Sequence, residues 1–151
     1  TEIISIEKDT DLSFGGNRIT WFQYPSKDTN HHSLVTRVAF GNRAIIMLAD
    51  VGRAVHDWLA KEHASEIGAE IVKLPHHGIY APKKVMIQAI NPELCIVTNG
   101  DNKDSAKTVK NVKSWKLHLL FTTRGDIEMV TDGQMWYARQ YDIVKAANVK
   151  K

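Results

Sequence analysis

One cysteine occurs in the 151 residues, which excludes an intramolecular disulfide. In Leu94-Cys95-Ile96-Val97 the thiol reads as a small buried hydrophobe. No apolar run reaches the ~18 residues that a membrane-crossing helix needs. Thr1-Glu2-Ile3-Ile4 lacks the basic start and apolar stretch of a secretory signal. No methionine opens the chain, which enters strand-like sequence at once, as expected of a segment taken from a longer protein. Internal repeats and low-complexity linkers are also missing, so one domain over 1–140 is expected, followed by a basic tail at 141–151. Charge is not strongly one-sided: the net value is +3, with pI near 9.0. The excess gathers in Lys103 to Lys116 and Lys145 to Lys151, which is compatible with an anionic partner. A solvated lysine face is the simpler reading of either cluster alone.

Apolar patterning supplies the order of elements. Residues 18–24 alternate with period two and predict a strand. Residues 33–40 and 43–48 flank Gly41-Asn42, a dipeptide suited to the positive φ of a tight turn, and should pair antiparallel. From Gly52 to Ile67 the residues Val55, Trp58, Leu59 and Ile67 fall near a helical stripe, with Gly68 at the expected left-handed cap. A strand at 70–74, a helix at 83–90 and a strand at 94–98 continue an α/β rhythm. A third helix is expected over 105–115, with Ser105 as N-cap and lysines on its outer face. Strands at 117–122, 127–131 and 134–139, with turns at 124–126 and 132–133, close the order.

Two strand ends carry groups able to do chemistry: Ala49-Asp50, and Pro75-His76-His77-Gly78. Rigid α/β sheets present active groups at the carboxyl ends of their strands. A carboxylate and an imidazole arriving from adjacent strands suit zinc, and a bound ion lowers the pKa of its water to about 7. The bland alternatives are specific. Asp50 could cap the following helix, and the histidines could form a polar turn. Adjacent histidines diverge on an extended backbone, so one is a natural ligand and the other a supporting or substrate-contacting group. His56 and His63, two turns apart on the first helix, are expected to be solvated or packed.

The order Asn30-His31-His32-Ser33-Leu34-Val35, Ala49-Asp50, a helix, Lys73-Leu74-Pro75-His76-His77-Gly78 and a strand ending at Asn99-Gly100 resembles the second half of the metallo-β-lactamase superfamily. The nearest resemblance is to the β-lactamase-like domain of ComEC-type competence proteins, over about residues 18–139. It implies an α/β fold, half of an αββα sandwich, with a mixed sheet and helices packed on it. It implies Asp50 as the metal-bridging aspartate and His76 or His77 as the last histidine ligand, with His76 favoured by its place at the strand exit. Asn30 and Ser33 would support the strand beneath the site. The implied cofactor is zinc or manganese, and the implied reaction is metal-assisted hydrolysis of phosphodiesters, in a setting such as DNA uptake. The location would be cytoplasmic, or the soluble domain of a membrane protein.

Three departures mark this sequence. Leu48-Ala49 stands where threonine-glycine is usual, and Asp101-Asn102-Lys103-Asp104 replaces a loop histidine. No His-x-His-x-Asp-His occurs anywhere. Since a catalytic zinc site takes three protein ligands and an open position, this chain is expected to hold an incomplete site. A missing N-terminal half, or self-association, would complete the domain. The alternative expectation is a catalytically inactive binding module for a protein or for nucleic acid, with Lys103, Lys107, Lys110 and Lys113 as the phosphate-binding residues.

Overall fold

The computed structural model describes residues 6, 8–26, 30, 32–99 and 103–141, so the basic tail from 142 lies outside the described residues. Seven strands form one sheet in chain order: β1 (Thr10–Phe14), β2 (Asn17–Phe22), β3 (Val35–Phe40), β4 (Arg43–Met47), β5 (Ile71–Lys73), β6 (Leu94–Val97) and β7 (His118–Phe121). β1 to β4 pair antiparallel and β4 to β7 pair parallel, giving the expected mixed sheet. Each parallel step is a βαβ crossover through α1 (Arg53–Glu62), α2 (Lys84–Ile90) or α3 (Ala106–Ser114). Parallel crossovers are right-handed, and these three advance in one direction, so all three helices cover the same face. There the core closes: Ile46, Leu48, Val72, Leu74 and Cys95 of the sheet meet Val55, Leu59, Met86, Ile90 and Val112. Burial pushes the Cys95 thiol up to about 12, which makes it inert packing.

The other face is also apolar. Register puts Leu12, Ile19, Val38, Ile45, Ile71 and Leu94 in one row, and Phe14 and Phe40 in another. A separate hairpin, β8 (Ile127–Thr131) and β9 (Trp136–Gln140), covers the β5–β7 end of that face. Arg43 Nε donates to the Gln134 carbonyl at 2.5 Å, and Trp136 Nε1 donates to Glu70 at 3.4 Å. At the other end Leu12 stays 40% exposed, Phe14 56% and Met47 38%. Half a two-sheet sandwich leaves such a face.

Local details depart from expectation. The first helix ends at Glu62 with His63 as its C-cap, and Gly68 does not take the left-handed conformation. Ile67 is nonetheless fully buried, so the apolar stripe reported burial beyond the helix rather than helix length. Ser105 occupies the N-cap of α3 without a side-chain cap bond. β1 had no strong pattern because it is an edge strand whose side chains are mostly exposed, and β9 starts two residues later than expected.

Candidate metal centre

Asp50 and the two histidines follow β4 and β5, adjacent parallel strands whose ends are tied together. The Ala49 carbonyl accepts the His76 backbone N–H at 2.9 Å and Lys73 Nζ at 3.3 Å, and the Leu48 N–H donates to the Lys73 carbonyl at 3.2 Å. Burial lowers the Lys73 pKa, and the Asp50 charge opposes that shift. Asp50 does not cap α1, whose N-cap is Gly52.

The backbone at these ends is strained. Ala49, His76 and His77 all have positive φ, at 42°, 48° and 54°, and Gly78 follows at 77°. Non-glycine residues in this region persist where surrounding contacts hold them, and they cluster at functional sites. Ala49 thus keeps the backbone shape that glycine would provide, at a cost. Ala49→Gly is expected to raise stability by about 1 kcal/mol, measured by urea unfolding. A loss of stability would show that this turn is not strained.

The left-handed pair of histidines decides which ring meets Asp50. His77 Nε2 lies 3.8 Å from Asp50 Oδ2, with both side chains about half exposed. Its Nδ1 is 3.1 Å from Thr98 Oγ1 at the end of β6. His76 turns onto Tyr80, with ring centroids 4.6 Å apart, and the two imidazoles stand at 84° to one another. The two rings do diverge, but from a left-handed turn and not from the extended backbone expected to part them, and His77 faces the carboxylate although the strand-exit argument favoured His76. Thr98 went unnoticed in the sequence because only the β5–β6 register brings it beside His77.

The remaining candidates are elsewhere. Asn30 and Ser33 form a turn before β3, with the Ser33 N–H donating to the Asn30 carbonyl at 3.2 Å. Lys103 precedes α3, and Lys107, Lys110 and Lys113 are exposed along it. His56 is buried, and His63 packs against Phe22 and Trp58 with Asp9 and Glu66 near its nitrogens. Residues 100–102 lie outside the described residues. Among the described residues no three His, Cys, Asp or Glu side chains converge on one point.

The donor pair fits part of a metal site. Two ligands on one tetrahedral zinc lie ~3.4 Å apart, close to the 3.8 Å between Asp50 and His77. A Thr98 partner on Nδ1 fixes the ring so that Nε2 faces the carboxylate, as supporting hydrogen bonds do for metal-ligating histidines.

No family model and no curated protein matches the chain. Among solved structures it is similar to a mutant of CmlA beta-hydroxylase, a metallo-β-lactamase-fold enzyme. The TM-score is 0.62 at 11% identity, over 93% of this chain and 34% of that one. The architecture is thus that of half a metallo-β-lactamase αββα sandwich. The chain spans about a third of the length of the enzyme it matches.

Proposed function

We propose that the chain is the C-terminal part of a metal-dependent hydrolase that cleaves phosphodiesters, with Asp50 and His77 as its contribution to the metal centre. The observation that carries this reading is the 3.8 Å approach of Asp50 Oδ2 to His77 Nε2 at adjacent strand ends. The choice of hydrolysis draws on the Pro-His-His-Gly resemblance, since the similar solved structure is named a hydroxylase. The ComEC-type resemblance suggests DNA uptake as the setting.

Zinc or manganese held there would supply a water acidic enough to ionise near neutral pH. The chain's own residues do the rest: Asp50 gives the anionic oxygen, Thr98 orients His77, and Lys73 with the His76 amide holds the Ala49 carbonyl, so that the two strand ends stay in register. Two donors make a partial site. The other donors would come from a segment packed over Leu12, Phe14 and Met47 on the uncovered sheet face, either a preceding half-domain or a second copy.

Titrating the chain with Zn²⁺ and Mn²⁺ by calorimetry tests the ligand assignment. Asp50→Ala and His77→Ala are each expected to weaken binding about tenfold, and His76→Ala less than about threefold. Equal losses at His76 and His77 would refute it. The hydrolase reading requires metal-dependent cleavage of bis(p-nitrophenyl) phosphate once the completing segment is supplied, and its absence there counts against it. A binding module is the second reading, favoured by the exposed row Lys107, Lys110 and Lys113. DNA affinity that ignores salt concentration would remove the nucleic-acid form of it.

A further inference from the structure

Two hollows lie side by side among the helices. One, of about 490 Å³, opens between the start of α1 and the segment that follows the histidines, with buried His56 in its floor. The other, of about 350 Å³, continues between the start of α2 and α3 as far as Asn111 and Trp115. Their linings share Arg53, Ala81 and Lys107, so the two make one trough. Its near end adjoins the Asp50–His77 pair. The exposed Tyr80 ring lies 4.6 Å from that of His76, which is 6.4 Å from the His77 ring, centroid to centroid.

The charge in this trough has one sign. Arg53, Lys83, Lys84 and Lys107 line it, and among the described residues no carboxylate does. Lys83 is bound to Asp57, as Arg18 is to Asp11, Arg43 to Glu70 and Lys61 to Glu62. Arg53, Lys84 and Lys107 are exposed and have no ion-pair partner among the described residues. Unpaired cations around a concavity reinforce one another's field and draw in anions. An aromatic ring stands towards each end, Tyr80 and Trp115. Cations between aromatic platforms suit a single nucleic-acid strand, whose phosphates take the charge while its unpaired bases stack. An acidic peptide would leave both rings unused, and a duplex keeps its bases stacked inside, out of their reach.

We propose that this trough binds a single strand of nucleic acid, with phosphates on Arg53, Lys84 and Lys107 and bases against Tyr80 and Trp115, and leads it to the Asp50–His77 centre. Arg53 and Lys107 line both hollows and serve the middle of the strand, and Lys84 serves its far part. Lys110 and Lys113, further along α3, line neither hollow and are not required. The inference rests on the phosphodiester reading only in making this strand a substrate of that centre; the binding itself needs no metal.

The test is the fluorescence anisotropy of a short labelled oligo(dT), titrated with the chain in the presence of a chelator. A plot of log affinity against log salt should have a slope of about −2, as three neutralised phosphates require on a single strand. Arg53→Gln, Lys84→Gln and Lys107→Gln should each weaken binding about fivefold and make that slope shallower by about 0.7. Tyr80→Ala should weaken it about tenfold with the slope unchanged, the mark of lost stacking. Lys110→Gln, Lys113→Gln and Asp50→Asn are controls and should stay within about twofold, while a duplex of the same length should bind about tenfold more weakly. Oligo(rU) measured beside oligo(dT) shows which sugar the trough prefers, and either preference supports it. A duplex that binds as tightly as the single strand, losses in the two lysine controls as large as in the trough variants, or an unchanged Kd and slope in Arg53→Gln each overturns the assignment. Strand binding by a chain that takes up no metal would retain the trough and discard the hydrolase; metal uptake without strand binding would do the reverse.

Discussion

Gly78→Ala is expected to destabilise the fold by about 3 kcal/mol, roughly 10 °C in Tm, and to remove most of the metal affinity assigned to Asp50 and His77. Two causes add. Gly78 has φ 77°, where an L side chain costs about 1–2 kcal/mol. A Cβ there would stand 2.8 Å from Val97 Cγ1 and 3.3 Å from Cγ2. Val97 is fully buried in β6 and has no room to retreat, so relief must come from the loop that carries His77. That movement breaks the 3.1 Å contact between His77 Nδ1 and Thr98 Oγ1, because Thr98 follows Val97 directly. Gly68→Ala is the control, since nothing lies within 4 Å of its added methyl group and its φ is ordinary. Thermal unfolding and calorimetric metal titration of the two variants provide the comparison. A Gly78→Ala protein as stable as the Gly68→Ala one would show that the loop yields freely and that the glycine has no packing role.

The same loop shows where reading the sequence stops. Gly41-Asn42 specified its hairpin because the turn chemistry is local, and the structure joins β3 to β4 there, with Gly41 at φ 56°. Alternating strand and helix segments specified the parallel half of the sheet, since each βαβ crossover has one favoured hand. The carboxylate and the paired imidazoles were also visible as residue types at strand ends. Which imidazole meets the carboxylate was not, because it depends on two consecutive left-handed residues that no side chain announces. Thr98 depends on strand register, and the cavity beside α1 on a contact between segments about 25 positions apart. His56 lay on a helix with residues that could have been solvated, and only the packing of α1 against α2 buries it. Ala49 shows the converse limit. It stands where the resemblance would place glycine, and it still takes the left-handed turn, at φ 42°.

Lowering the pH from 7 towards 4 is expected to cost the fold about 3 kcal/mol through His56 alone. Burial is the largest cause of its depressed pKa, which falls from 6.5 to about 4; the positive charges of Arg53 and Lys83 add to it, and Asp57 and the Val51 carbonyl oppose it weakly. The sign follows from proton counting. Above pH 6.5 the ring is neutral in both folded and unfolded chains and the stability is intact. Between 6.5 and 4 the unfolded chain takes up the proton and the folded one does not, so stability falls with pH across that window and the loss levels off below it. Urea midpoints measured at intervals from pH 7.5 to 4.5, where most carboxylates are still ionised, isolate the effect. His56→Gln serves as reference: its amide oxygen can still accept the Lys83 N–H but cannot titrate, so its profile should be nearly flat from 6.5 to 5. Parallel slopes in the two proteins would mean that His56 gains its proton without unfolding the cavity floor, and burial would then not govern this site.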